Sequence, residues 1–158
     1  MMNTKTLNML SLIGSILVFV ATFMGVAVNG NYAVSVLTAG GIWYLLPLLG
    51  LAGIVVSSMA LGGKMEIKIA ALIVGGLVLA LSLWFGIEAS SGLNNFVALQ
   101  SDMSNGFNSS FFTGKQQDAS NLVKSSFGIG FYIYIVGAIL ILAIGLMNKS
   151  KSSISESI

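Results

Sequence analysis

The charged residues of this 158-residue chain leave three long stretches without any acidic or basic side chain. One stretch lies between Lys5 and Lys64, and two more run from Ile69 to Ile87 and from Ser125 to Asn148. Charged residues make up 8% of the chain, against about 25% in soluble domains. Stretches of this kind can cross the hydrocarbon core of a bilayer, where the backbone satisfies its own hydrogen bonds as a helix. The sequence therefore predicts helices that lie in lipid.

Polar and glycine-bearing connections divide these stretches into four spans. The pattern predicts an all-α fold, an integral membrane four-helix antiparallel bundle, with residues 1–158 forming a single membrane domain. The predicted transmembrane helices cover residues 7–28, 42–61, 69–87 and 127–147. The predicted connections are an outer loop at 29–41, a cytoplasmic loop at 62–68, a partly helical outer loop at 88–126 between helices 3 and 4, and a disordered cytoplasmic tail at 148–158.

The lysines predict the orientation of the spans. With four spans both termini share a side, and that side holds five of the seven basic residues: Lys5, Lys64, Lys68, Lys149 and Lys151. Because lysines in short loops are retained in the cytoplasm, both termini are predicted to be cytoplasmic. Trp and Tyr residues cluster at the opposite ends of the spans, as expected at a headgroup interface. The chain lacks Arg and is rich in Lys, Asn and Ile, which favours a multi-pass protein of a bacterial inner or plasma membrane.

Several kinds of chemistry are not expected of this chain. It contains no Cys and no His, which removes disulfides, the usual zinc sites and haem ligation by imidazole or thiolate. Its lysines form no basic run, so nucleic acid is not expected as a partner. We expect no cofactor and no metal. We also expect no enzymatic activity, because the chain has no His to activate a nucleophile and the remaining candidate groups, Asp102, Lys115, Asp118 and Lys124, are scattered across one loop. Glu88 adjoins a span and could carry a cation or proton, but a solvated carboxylate at the interface is favoured.

Small residues recur at helical spacing within the predicted spans. Such positions let helix backbones approach closely where lipid gives no hydrophobic drive for association. Packing between the four helices of one chain is favoured over oligomerisation, since a strict GxxxG is absent. The candidate helix-packing residues are Gly53, Ser57, Ala71, Gly75, Ser82, Gly86, Gly130, Gly137 and Gly145.

Pro47 lies about one turn into the second predicted span. A proline at this place either kinks the helix or occupies its first turn, where a missing N–H costs little. We predict the first-turn placement, with a helix that begins near Trp43.

The outer loop at 88–126 carries apolar residues near the spacing of an amphipathic helix, interrupted by Gln100. These residues need a surface to cover, which is either the bundle and bilayer or a docked partner. The candidate partner contacts are Phe96, Phe107, Phe111 and Phe112.

These patterns favour a small non-enzymatic membrane protein that acts through protein–protein contacts. It would be an accessory or structural subunit of a membrane complex, or an immunity-type protein. Its expected partners are the lipid bilayer and other membrane protein subunits. The alternative is an oligomeric channel or transporter subunit, in which the small-residue positions would lie between copies of the chain.

Overall fold

A computed structural model describes residues 4–29, 32–63, 67–111 and 125–149 of the chain. These residues are mostly helical. In chain order the elements are helix α1 (Thr4–Ala21), strand β1 (Ala27–Asn29), strand β2 (Tyr32–Val34), a short helix α2 (Val36–Ala39), a 3-10 helix (Gly41–Tyr44), α3 (Leu45–Leu61), α4 (Lys68–Phe111), strand β3 (Ser126–Phe127) and α5 (Ile129–Lys149).

Four of the described helical segments are long and apolar enough to cross a membrane: Thr4–Ala21, Gly41–Leu61, Lys68–Gln100 and Ile129–Met147. At 1.5 Å per residue the 18 residues of the shortest span about 27 Å, close to the thickness of a hydrocarbon core. The second segment joins the 3-10 helix to α3. Pro47 lies in the first turn of α3, as predicted, so it removes no hydrogen bond from the helix interior.

Close contacts between helices show their relative directions. Near the start of α1, Asn8 donates a hydrogen bond to the Ala60 carbonyl at the end of α3, while Phe19 lies against Gly50 of the same helix. Residue numbers that rise along α1 thus fall along α3, and these two helices run antiparallel. Helix α5 packs antiparallel to α1 in the same way, and α4 packs antiparallel to α5.

Aromatic side chains join the beginning of α3 to α4 at one end of the helices. Trp43 is buried, and its ring centroid lies 5.4 Å from that of Trp84 and 4.8 Å from that of Phe85. Phe127 and Phe131 stack at the beginning of α5, with centroids 4.3 Å apart. We call this end of the helices the outer end; Lys5 and Lys68 lie at the other end.

The described residues are mostly helical, but a small antiparallel sheet that the predicted all-α fold did not include lies at the outer end. Its strand order is β2-β1-β3, with Val28 opposite Ala33 in one pair and opposite Ser126 in the other. The first span was predicted to extend to Val28, but α1 ends at Ala21 and Val28 lies in β1. Likewise α5 begins at Ile129, because residues 126 and 127 belong to β3.

Helix α4 is the longest element and differs most from the prediction. The third span was predicted to end at Ile87 and to be followed by a partly helical outer loop, whose helical pattern is interrupted at Gln100. Instead α4 continues through both residues to Phe111. Its 44 residues amount to about 66 Å, roughly twice a hydrocarbon core. The segment from Glu88 to Phe111 is here called the α4 extension.

Other predicted connections are only partly described. The outer loop at 29–41 contains β2 and α2, which has a capping box between Ser35 and Thr38. In the loop at 62–68, residues 64–66 lie outside the described part of the chain, as do residues 112–124 of the second outer loop. The predicted tail begins within α5, and its remainder, residues 150–158, lies outside the described residues.

Candidate functional site

The four predicted partner contacts fall on or just beyond the α4 extension. Phe96 is 52% exposed, and its ring packs edge-to-face against Tyr32 of β2 at a centroid distance of 5.7 Å. Phe107 and Phe111 lie in the last turns of the same helix. Phe112 lies outside the described residues. The helix therefore joins three of the four positions in one continuous element.

Three apolar side chains on one face of the α4 extension are exposed. Phe96, Leu99 and Met103 are 52%, 63% and 75% exposed. Their spacing of three and then four residues places them on a single helical face, which we call the outer stripe. Gly92 lies one turn before Phe96 on the same face and is also exposed. Apart from the Tyr32 ring on Phe96, no segment among the described residues covers this linear apolar surface.

The side of the α4 extension next to the outer stripe packs on the rest of the protein. Ala89 and Leu93 are 8% and 5% exposed and belong to the same buried cluster as Ala27 of β1. Val97 continues this side and packs partly buried against the cluster. This burial explains why the helix persists beyond Ile87: its apolar residues every fourth position have a surface to cover.

Hydrogen bonds also hold the α4 extension against the segment that leads into β3. The Ser125 backbone N–H donates to Oδ1 of Asn94 at 2.7 Å, and the Ser125 hydroxyl donates to the Ser90 carbonyl at 2.8 Å. The two serine hydroxyls are themselves 2.8 Å apart. The base of the extension is therefore attached at two successive turns of α4.

Polar side chains follow the outer stripe along one side. Glu88, Asn95 and Asp102 are exposed and lie seven residues apart, so they share a helical face next to the stripe. We call them the acidic line. The described residues of the outer end, at 22–29, 32–44, 84–111 and 125–132, include these two acids and no Lys or Arg. These described residues therefore carry two negative charges, while residues 112–124, outside the described part of the chain, carry Lys115, Asp118 and Lys124.

The predicted helix-packing residues lie deeper, between the spans. A Cβ added to Gly137 would lie 2.8 Å from the Gly14 carbonyl oxygen, and one added to Gly75 would lie 3.0 Å from the Leu142 backbone nitrogen. The other four predicted packing glycines also face a neighbouring helix or the turn that follows it. Gly53 faces Ser15, Gly86 faces Phe131, Gly130 faces Met24 and Gly145 faces Leu72. These contacts are all within one chain.

The other three predicted packing residues are buried as well. Ser57 donates a hydrogen bond to the Ser11 hydroxyl at 2.9 Å and thereby links α3 to α1. Ala71 is 3% exposed and lies beside both serines at a small cavity. Ser82 is 1% exposed, but its hydroxyl donates to the Leu79 carbonyl of its own helix. Only Ser57 among the three makes a polar link between helices.

Two contacts between helices involve residues that were not among the predicted helix-packing residues. Gly14 contacts Gly137. It lies between the small residues Ser11 and Ser15, and this grouping of small residues could have identified it as a packing position. The Tyr134 hydroxyl donates to Thr22 at 3.1 Å at the outer end of α1. Tyr134 was interpreted as an interfacial aromatic, but it is fully buried.

A metal-binding group or a ligand pocket would be the alternative kind of candidate site among the described residues. No group of three or more His, Cys, Asp or Glu residues among them could hold a metal ion. The cavity beside Ser11 and Ser57 has a volume of about 10 Å³, and an apolar groove beside Tyr132 has about 160 Å³. Both are smaller than the roughly 300 Å³ at which ligand pockets usually begin. The outer stripe and acidic line are therefore the stronger candidate site.

Comparison with known proteins adds no relative. The chain matches no protein-family model, and neither a curated protein nor a solved structure gives a significant match.

Proposed function

We propose that this chain is a four-span membrane protein that acts through protein–protein contacts at the outer stripe. Its spans form an antiparallel bundle in the bilayer, with both termini in the cytoplasm. The small sheet and the α4 extension stand on the external face. In this role the protein is an accessory or structural subunit of a membrane complex, or an immunity-type protector of the membrane. No catalytic step is part of the proposal.

Apolar side chains on the outward faces of the spans support insertion in lipid. Leu48 and Val55 of α3 are 58% and 57% exposed, and Ile73 of α4 and Ile139 of α5 are 56% and 53% exposed. A water-soluble monomer rarely exposes apolar surface of this extent. A bilayer covers such faces with its acyl chains.

The ends of the spans support the proposed orientation. Lys5 and Lys68 lie at one end of the helices, where their ammonium groups would meet the cytoplasmic headgroups. Trp84 and Tyr132, exposed at 55% and 58%, lie at the outer end, where amphipathic aromatic rings favour the opposite interface. The α4 extension would then project from the external side.

The exposed outer stripe is the observation that carries the proposed function. From Trp84 to Phe96 the helix rises about 18 Å, and to Met103 about 28 Å, so the stripe lies beyond the interfacial layer where lipid could cover it. Linear apolar surface in water is typical of a site for another protein. Contacts with the sheet and with Ser125 hold the base of the extension in place.

The alternative, an oligomeric channel or transporter subunit, loses its main support. In that alternative the small-residue positions lie between copies of the chain. Gly75 and Gly137 instead lie against Leu142 and Gly14 of the same chain. These contacts use the small faces for packing within one molecule.

Site-specific photocrosslinking in native membranes tests the proposal. The crosslinker benzoylphenylalanine is placed at Leu99 or Met103, and for comparison at Ala98, which is half-buried on another face of the same helix at the same height. We expect a discrete protein adduct from Leu99 and Met103 and none from Ala98. Absence of adducts at all three positions, or equal adducts at all three, would refute contact through the outer stripe.

Orientation is tested separately with single cysteines, because the chain has none of its own. In intact cells Ser91→Cys should react with a membrane-impermeant maleimide, and Lys68→Cys should react only after the membrane is opened. The reverse pattern would place the α4 extension in the cytoplasm and contradict the proposal.

A further inference from the structure

Asn8 of α1 carries a polar side chain into the bundle and is only 6% exposed. Its Nδ2 donates a hydrogen bond to the Ala60 carbonyl oxygen of α3 at 3.1 Å. Because a carbonyl oxygen can only accept, the amide nitrogen must face Ala60, and Oδ1 then lies on the other branch of the amide. Among the described residues, Oδ1 has no hydrogen-bond partner. Buried side-chain oxygens rarely stay unpaired, since they lose their hydrogen bonds with water on burial.

The Ser11 hydroxyl offers a donor on the same face of α1, one turn from Asn8. Ser11 is 2% exposed, and its Oγ accepts a hydrogen bond from the Ser57 hydroxyl at 2.9 Å. Within the described residues this hydroxyl only accepts, so its own proton is available to another acceptor. Side chains three residues apart on a helix have Cβ atoms about 5–6 Å apart, which is about two hydrogen-bond lengths. One small molecule between Asn8 and Ser11 could therefore reach both.

The space and the position suit a water molecule. A cavity of about 10 Å³ lies beside Ser11 and Ser57, at the lower limit of the volume that holds one water. Asn8 is the fifth residue of α1 and lies about 6 Å along the axis from the beginning of the helix. Lys5 in that first turn is exposed. Water therefore has a short distance to travel from the inner end of the bundle, which is the end opposite the outer end.

The described groups at this position are neutral amide, hydroxyl and carbonyl groups. A metal cation would give up its hydration there without gaining a negative charge, whereas water exchanges one set of hydrogen bonds for another. Residues 64–66 lie outside the described part of the chain and include Lys64 and Glu66. The Lys64 ammonium group or a backbone N–H of that segment is the alternative donor to Oδ1, and the experiment has to separate it from water.

We propose that a water molecule binds between α1 and α3 at the inner end, where it donates a hydrogen bond to Oδ1 of Asn8 and accepts one from the Ser11 hydroxyl. The bound water joins the hydrogen bond between Asn8 and Ala60 to that between Ser11 and Ser57, so that one polar network links the two helices over a full turn. This site is independent of the outer stripe, which lies at the other end of the bundle.

A crystal structure of the full-length protein grown in a lipidic phase, at a resolution that shows ordered water, tests the proposal. We expect density for one water within about 2.6–3.2 Å of both Asn8 Oδ1 and Ser11 Oγ. Ser11→Ala should remove this density, because the water loses one of its two partners. Ser15→Ala is the matched control on the same helix: Ser15 is also buried, but its hydroxyl donates to the Ser11 backbone carbonyl at 2.9 Å. The water should persist in that variant.

Three results of this experiment would overturn the inference. The first is a donor from residues 64–66, either the Lys64 ammonium group or a backbone N–H, in contact with Oδ1. The second is an Oδ1 with no neighbour of any kind. The third is density that is unchanged in Ser11→Ala, which would show that Ser11 does not hold the bound molecule.

A second measurement, in phospholipid bilayers, needs no crystals. Water-edited solid-state NMR follows the transfer of magnetisation from water protons to the Asn8 side-chain amide, whose signal is assigned by its loss in Asn8→Leu. The control is the backbone amide of Ile144, which is 1% exposed and lies at about the same level of α5, since Gly14 faces Gly137.

We expect transfer to Asn8 to be at least threefold faster than transfer to Ile144. Ser11→Ala should slow it at least twofold, and Ser15→Ala should leave it unchanged. The signals of the other residues show whether each variant is folded. Transfer to Asn8 as slow as to Ile144, or equal effects of the two serine variants in folded protein, would contradict a bound water at this site.

Discussion

Gly14 of α1 and Gly137 of α5 face each other so closely that a Cβ added to either would lie 2.8 Å from the backbone carbonyl oxygen of the other. Both obstacles are backbone atoms, so neither can turn aside as the end of a flexible side chain could. The pair therefore sets how near α1 and α5 approach. Close backbone approach of this kind provides the packing that holds helices together in lipid.

Gly137→Ala should destabilise the protein by about 1–3 kcal/mol, because the helices must separate to admit the methyl group. The free energy of unfolding in mixed micelles, titrated with a denaturing detergent, measures this loss. Gly76→Ala is the matched control within α4, since a Cβ there meets nothing within 4 Å. That control should be neutral or stabilising by up to about 1 kcal/mol, because Ala favours a helix over Gly. Equal losses for the two variants would show that the contact does not exist.

The hydrogen bond between Ser57 and Ser11 should contribute a small but measurable coupling energy between α3 and α1. Hydrogen bonds between membrane helices average about 0.6 kcal/mol, so we expect a coupling of that size in a double-mutant cycle of Ser57→Ala and Ser11→Ala. Ser58 provides the control, because its exposed hydroxyl donates to the Ile54 carbonyl of its own helix. A cycle between Ser58 and Ser11 should give no coupling. The prediction fails if the two cycles agree within error.

Asn94 attaches the segment before β3 to the α4 extension through the Ser125 N–H. Asn94→Ala should speed hydrogen exchange of residues 125–128 with little change in the unfolding of the spans, since the lost contact is local. Mass spectrometry of proteolytic fragments measures this exchange. Asn95→Ala is the control at the neighbouring exposed position, and it should leave exchange unchanged. If exchange at 125–128 is the same in both variants, Asn94 does not hold this segment.

Hydropathy identifies the spans because a long apolar segment without charges is stable in lipid only as a helix. It does not identify the residue at which a helix ends and a short strand begins. Residues 26–28 are as apolar as the preceding turn, so the hydropathy pattern extends the predicted first span to Val28. Strands of two or three residues are also too short to show an alternating pattern. β1 and β2 are separated only by Gly30 and Asn31, a pair typical of a tight hairpin that could have indicated their pairing. The pairing of β1 with β3, about 100 residues later in the chain, has no such local signal.

The end of the third span was missed for the opposite reason. Beyond Ile87 the residues become polar, and mean hydropathy falls as it would at the start of a loop. The helix continues because Ala89 and Leu93 keep a four-residue spacing and are buried in the same cluster as Ala27. Phe96 was predicted as a contact residue from its apolar character. Leu99 does not stand out in the sequence, because the polar Gln100 beside it interrupts the helical pattern.

A single-cysteine scan of residues 88–103 tests whether α4 is continuous past the membrane. The chain has no Cys of its own, so each variant reports one position. Labelling rates with a water-soluble maleimide should repeat every 3.6 residues. They should be slow at Ala89 and Leu93, which are 8% and 5% exposed, and fast at Leu99 and Met103, which are 63% and 75% exposed. A helix ending at Ile87 would instead give uniformly fast labelling without a period, and the outer stripe would then have no common face on which to bind a partner.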